Sequence, residues 1–250
     1  GYSSAASDVY KRQWQKIDGN WYWYENEAPA KGWRVINGKW YYMETSTGVM
    51  KTGFFRDANG GLYYSDGSGA MVGNPGWNVI GGKWYWMNSN GSIYSGWLSR
   101  PSGWYYLNAD GSMATGWAKV GNTWYYMNGS GAMQTGWVKT ASGWYYLTGS
   151  GAMATGWYVV GGNWYYSNSD GTMQTGWVKV GNNWYYMDGS GAMAANRWIG
   201  NYYVTGSGAM ATNTWIGSYW VGADGKWVPG YGSSAGTTAG TGGCLLYTSD

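Results

Sequence analysis

Six tryptophans, Trp77, Trp97, Trp117, Trp137, Trp157 and Trp177, stand twenty residues apart, and each is followed seven residues later by a second tryptophan that opens an aromatic triplet. A fixed short period of this kind means one supersecondary unit copied along the chain, each copy burying its apolar surface against its neighbours. A single compact core drawn from distant parts of the sequence does not produce such a ladder. Fold and function are therefore read for one unit and then multiplied.

Residues 116–135, GWAKVGNTWYYMNGSGAMQT, serve as the type unit. Two short strand-forming runs, 117–120 and 124–127, flank Gly121-Asn122, a turn signal of the kind that joins hairpin strands. The second connection, 128–132, is richer in glycine and reads as a looser turn. Side chains alternate across a strand, so Trp124 and Tyr126 share one face while Tyr125 and Met127 share the other. An isolated hairpin is marginal in water. The sequence therefore predicts an all-β fold, a solenoid of tandem β-hairpins with about twenty residues per repeat. Met113, Met133, Met153, Met173 and Met193 recur at the period, and their flexible thioethers suit the gaps between units.

The array spans residues 14–229, with atypical repeats at 14–76 and 196–229. Near its start, Trp14, Trp33, Phe54 and Trp77 are 19, 21 and 23 residues apart, and Leu62 stands where a triplet tryptophan belongs. Near its end, Trp198 and Trp215 are 17 apart and the hairpin shrinks to WIGNYY at 198–203, as expected of a capping repeat. Residues 230–243 read as a flexible Gly/Ser/Thr linker. Residues 1–13 and 244–250 share neither period nor composition with the array and resemble adapter-derived sequence at the ends of metagenomic fragments. On that reading the chain is a truncated piece, and a catalytic domain could have been fused at either end.

Composition narrows the function. Aromatics make up 20% of the chain and charged residues 11%, which argues against disorder. The net charge is +3, with lysines scattered one per repeat, so no nucleic-acid footprint is visible. Histidine is absent and the only cysteine is Cys244, which excludes internal disulfides, histidine-based catalysis and the usual zinc or haem sites. No cofactor is implied. No apolar stretch approaches the roughly 18 residues that span a bilayer. No nucleophile and base pair is recognisable, and Asp110, Asp170 and Asp188 suit turns between hairpins, so the chain reads as a binding module rather than an enzyme.

Two tryptophans on paired strands, with one aromatic from the next hairpin, form a three-sided box. Ring faces are electronegative, so a cation without hydrogen-bond donors fits best, and quaternary ammonium groups are bound in such cages. The paired tryptophans read as ligand contacts, because large exposed aromatics mark binding surfaces. Tyr125 and its equivalents read as packing. Lys119, Lys139 and Lys179 read as solvated charges that discourage edge pairing, with phosphate contact as the alternative.

The units TGWVKVGNNWYYMDGSGAM (175–193) and TGWAKVGNTWYYMNGSGAM (115–133) resemble choline-binding repeats, the cell-wall-binding modules of Gram-positive bacteria and their phages. The resemblance implies a left-handed superhelix, secretion to the cell surface, and non-covalent attachment to choline or phosphocholine on teichoic and lipoteichoic acids. It implies a site between consecutive hairpins, made by two tryptophans of one repeat and the third triplet aromatic of the next. Carried over, the sets are Trp77, Trp84 and Tyr106; Trp97, Trp104 and Tyr126; Trp117, Trp124 and Tyr146; Trp137, Trp144 and Tyr166; and Trp157, Trp164 and Tyr186. Trp177, Trp184 and Tyr203 form a further set, as do Trp33, Trp40 and Tyr64, and Trp14, Trp21 and Tyr42. Phe54 with Leu62 departs from the pattern and is expected to bind nothing, and Asn201 replaces a cage tryptophan after Trp198. Related repeats leave a glucan-binding array as an alternative, with a structural spacer as a second; a homodimer is a further possible partner.

Overall fold

A computed structural model describes residues 12–232, and among them every element is a β-strand. The type unit folds as its sequence predicts. Strand Gly116–Val120 pairs antiparallel with Thr123–Met127 in the register Trp117↔Tyr126, Ala118↔Tyr125 and Lys119↔Trp124. Gly121 takes φ +60° in the two-residue turn, a conformation that matches the twist of the flanking strands. The same hairpin recurs at Gly76–Ile80 with Lys83–Met87, Gly96–Arg100 with Gly103–Leu107, Gly156–Val160 with Asn163–Ser167, and Gly176–Val180 with Asn183–Met187. The atypical repeats are hairpins too. Phe54 lies in Gly53–Arg56, paired with Leu62–Ser65, and the shortened repeats are Arg197–Ile199 with Tyr202–Val204 and Thr214–Ile216 with Tyr219–Val221.

Strand Arg12–Ile17 opens at a residue the sequence reading places in the leading tail. The rest of that tail, the linker beyond Gly232 and the closing segment with Cys244 lie outside the described residues. The described residues divide into two compact units, one from 12–136 and 147–153, the other from 137–146 and 154–232.

The glycine-rich connection is tighter than its composition suggests. Asn128 Oδ1 accepts hydrogen bonds from the Ser130 and Ala132 amides, each at 3.0 Å, and from Ser130 Oγ at 2.7 Å. Backbone bonds from Asn128 N to Ala132 O and from Gly131 N to Asn128 O close the loop. The side-chain oxygen thus supplies the partners that a loose loop would seek from water. Gly131 sits at φ +82°, and a Cβ there would lie 2.4 Å from Met113 Sδ in the preceding repeat. Glycine is required both by the backbone and by its neighbour.

Within each unit, hairpins are tied across repeats through the backbone. Met113 N donates to Trp84 O at 2.8 Å and Met133 N to Trp104 O at 2.7 Å in the first unit, and Met193 N to Trp164 O at 2.8 Å in the second. The last residue of the second strand is fully buried: Met87, Leu107, Met127 and Met187 expose 1% or less. Met127 forms one core cluster with Ala114 and Ala118, against which Trp97, Tyr106, Tyr125 and Met133 pack.

Candidate functional site

Residues opposed in an antiparallel pair point to the same face. Trp117, Lys119, Trp124 and Tyr126 therefore share one face of their hairpin, and Ala118, Tyr125 and Met127 the other. On the first face the two indoles meet edge to face: Trp117–Trp124 centroids are 6.5 Å apart at 89°, Trp97–Trp104 6.4 Å at 81°, and Trp77–Trp84 6.4 Å at 90°. Trp157–Trp164, Trp33–Trp40 and Trp14–Trp21 repeat this corner at 6.2, 6.1 and 6.4 Å. The second indole of each pair is 39–47% exposed across the eight pairs, Trp137–Trp144 and Trp177–Trp184 included. One wall of each corner is thus open to solvent, while the first indole is half-buried.

The third wall is not the residue expected. Tyr106, Tyr126, Tyr146, Tyr166, Tyr186 and Tyr203 each lie against the first tryptophan of their own hairpin, Trp97, Trp117, Trp137, Trp157, Trp177 and Trp198, at 5.0–5.3 Å. Tyr42 and Tyr64 do the same with Trp33 and Phe54. The ring that closes each corner comes from the middle of the next triplet. Tyr105 lies 5.1 Å from Trp77, Tyr125 4.7 Å from Trp97, Tyr165 4.9 Å from Trp137 and Tyr185 4.8 Å from Trp157. Tyr202 is 5.5 Å from Trp177, Tyr63 4.6 Å from Trp33 and Tyr41 5.1 Å from Trp14.

The physical reason is the stacking. Within a unit the indole face of one hairpin meets the opposite face of the next, as the Trp97–Tyr125 and Trp157–Tyr185 contacts show. Alternation places Tyr125 there and turns Tyr126 away. The packing role expected of the Tyr125 position is therefore joined to a wall of the site. Burial, reinforced by the nearby carboxylates of Asp57 and Asp110, holds the Tyr63 and Tyr85 phenols above their usual range.

A methionine and a turn complete the enclosure. Trp14, Trp21, Tyr41 and Met50 line a cavity of about 270 Å3 with Gly67 and Ser68, which belong to the turn of the hairpin after next. Trp157, Trp164, Tyr185 and Met193 meet Ser207 in one of about 660 Å3. Trp33, Trp40, Tyr63 and Met71 meet Asn90 in one of about 650 Å3, widened by Gly73 and Pro75 from the longer connection. Trp177, Trp184, Tyr202 and Met210 line about 350 Å3, where the turn contributes the carboxylate of Asp224. The sequence reading assigned the methionines to packing and missed the turn residue; the recurrence of both at the twenty-residue period was the available signal.

The lysines lie over the second indole of their own hairpin, Lys119 Nζ 5.8 Å from the Trp124 centroid and Lys139 Nζ 5.7 Å from Trp144. The broken repeat differs in chemistry. Phe54 meets Tyr64 and Tyr85, but Leu62 packs into the cluster of Tyr85, Met87 and Ile93, so no second indole faces the corner. Ile93 takes the methionine's place there, its amide bonded to Leu62 O at 2.7 Å. Among the described residues no group of three or more His, Cys, Asp or Glu is placed to hold a metal ion. Asp110, Asp170 and Asp188 accept hydrogen bonds from a Ser or Thr hydroxyl two residues on, which lowers their pKa values, and they lie within turns.

Comparison with known proteins places these features in a family. Models described as choline-binding repeat match residues 74–115, 114–155 and 154–198, and 192–227, and one described as a cell wall binding repeat matches 13–27, 31–50 and 52–71. The fold resembles choline binding protein F from Streptococcus pneumoniae, with 29% identity and a TM-score of 0.58 over 87% of this chain and 99% of that one. The choline-binding domain of CbpL from Streptococcus pneumoniae is 38% identical, with a TM-score of 0.52 over 71% and 97% of the two chains. The modular autolysin LytC from Streptococcus pneumoniae, solved with a synthetic peptidoglycan ligand, is 32% identical, with a TM-score of 0.54 over 79% of this chain and 46% of that one. No curated protein gives a significant match.

Proposed function

The chain belongs to the choline-binding repeat family, whose units are cell-wall-binding modules, and from that premise we propose that it anchors non-covalently to choline on teichoic or lipoteichoic acid at the bacterial surface. The observation that carries this reading is the corner of two perpendicular indoles closed by the middle tyrosine of the next hairpin. Each cage is Trp, Trp, Tyr and Met, as in Trp97, Trp104, Tyr125 and Met133. A trimethylammonium group has no N–H to satisfy, so ring faces and a thioether solvate it without a hydrogen-bond acceptor.

The energetics favour many weak sites. A cation over one ring gains about 1–2 kcal/mol, so three rings supply about 3–6 kcal/mol against the cost of association. One cage would then bind in roughly the millimolar range. A polymer that carries choline at intervals engages several cages, and linkage raises avidity by about 100- to 10,000-fold. That need accounts for the repetition.

Titrating choline and, separately, dextran against the full chain while following tryptophan fluorescence tests the proposal. Saturable change with choline, weakened when Trp97 and Trp104 are replaced by leucine, is the expected result. Saturation by dextran with no response to choline would establish a glucan-binding array instead. Unchanged wall retention when the second tryptophan of every cage is replaced by leucine would favour a spacer.

A further inference from the structure

The hairpin of Trp198 lacks a second tryptophan, because Asn201 stands in the turn where the longer repeats reach one. The structure supplies an indole from another direction. Trp227 N donates to Asn201 O at 2.8 Å, the bond that Met210 N makes to Trp184 O at 2.7 Å. The neighbouring bridges correspond as well, Tyr202↔Lys226 matching Tyr185↔Ala209. Trp227 therefore occupies the methionine position of this repeat.

Two walls of the preceding cage are kept. Trp198 meets Tyr219, the middle aromatic of the next hairpin, at 5.7 Å and 79°, close to Trp177 with Tyr202 at 5.5 Å and 71°. Trp227 stands on that same tyrosine at 5.7 Å and 80°. Each indole is thus nearly perpendicular to Tyr219. Trp227 is 37% and Tyr219 48% exposed, comparable to the second indoles of the regular cages.

We propose that Trp198, Tyr219 and Trp227 form a further site for a quaternary ammonium group, in which an indole at the methionine position replaces the one that Asn201 removes. This rests on the reading of the regular cages as cation sites and extends it to a repeat whose sequence lacks the second tryptophan. Three aromatic rings, two of them perpendicular to the third, select the same ligand class by the same physics. The site adds one point of attachment at the shortened end of the array. It also explains why the hairpin Thr214–Ile216 with Tyr219–Val221 carries a third strand, Trp227–Val228: pairing Val221 with Trp227 and Trp220 with Val228 fixes the indole.

The test uses the full chain labelled with 5-fluorotryptophan, its 19F resonances assigned by single Trp→Phe substitutions and titrated with choline chloride. Saturable shifts at Trp198 and Trp227, alongside those of the regular cages, are expected. The uncharged isostere 3,3-dimethylbutan-1-ol should move them at least about tenfold more weakly. Trp227→Met, which installs the residue that regular repeats carry, should abolish the Trp198 shift and leave the Trp177 and Trp157 shifts intact. If the regular cages respond while Trp198 and Trp227 do not, the terminal site is refuted and the cage reading stands. If no tryptophan responds, both fall.

Discussion

Replacing Phe55 with tyrosine should stabilise this protein, and a second hairpin shows why. Phe55 and Tyr158 hold the same place, opposite the middle tyrosine of their own hairpin, Tyr63 and Tyr165. Each is stacked between two rings, Phe55 at 5.1 Å from Tyr42 and 5.9 Å from Tyr63, Tyr158 at 5.3 Å from Tyr146 and 6.0 Å from Tyr165. Both hairpins end in a fully buried serine where most others end in methionine or leucine, an exchange that offsets the added ring volume. Tyr158 Oη lies 2.9 Å from Ser167 Oγ, whereas Ser65 Oγ is buried with no hydrogen-bond partner. A buried unpaired hydroxyl costs about 1–3 kcal/mol, and a completed bond contributes a net ~1 kcal/mol. Phe55→Tyr is therefore expected to add about 1 kcal/mol, or roughly 2–4 °C in a cooperative melt. Thermal and urea unfolding of Phe55→Tyr, Ser65→Ala and the double variant form a cycle that isolates the pair. An equal effect of Phe55→Tyr with Ser65 present and with it replaced by alanine would refute the argument, since the gain must depend on the serine hydroxyl.

Three further outcomes follow from the geometry. Gly131→Ala should cost about 1–2 kcal/mol in left-handed backbone strain alone and displace Met113, whereas Gly129→Ala, with open space at its Cβ, should be near neutral in the same melts. Asp224→Asn should weaken choline at the Trp177–Trp184 cage by up to about fivefold, the range of an exposed ion pair, leaving the Trp157–Trp164 cage unchanged by 19F titration. Asp188 has its pKa lowered, chiefly by the Ser190 hydroxyl, so its contribution is present above the usual carboxylate range and lost as pH falls through the lowered value. Asp188→Asn keeps the acceptor that Asn128 provides in the equivalent turn, and should flatten the acid limb of the stability profile with little change at neutral pH.

Much of the site was legible in the chain. The pairing of Trp117 with Trp124 on one face follows from alternation and a two-residue turn, both local properties. The break at Phe54 and Leu62 was legible for the same reason: a leucine offers no ring face at any rotamer. The turn at 128–132 was misread because glycine content signals conformational freedom, while the Asn128 side chain that closes the loop acts through hydrogen bonds that composition does not display.

The sequence by itself determined the number of indole pairs, their spacing and the face each occupies, because period and alternation act within about twenty residues. Which aromatic closes each corner was decided by tertiary structure. Tyr105 rather than Tyr106 faces Trp77 because burial of the Met127-type side chains and the bond from Met113 N to Trp84 O set how one hairpin lies on the next. That relation joins residues nearly thirty apart and leaves no trace in the local pattern. Trp227 is the sharper case: it follows Tyr219 by eight residues as Met210 follows Tyr202, but the bond from its amide to Asn201 O is what sets it beside the hairpin that lacks a second tryptophan.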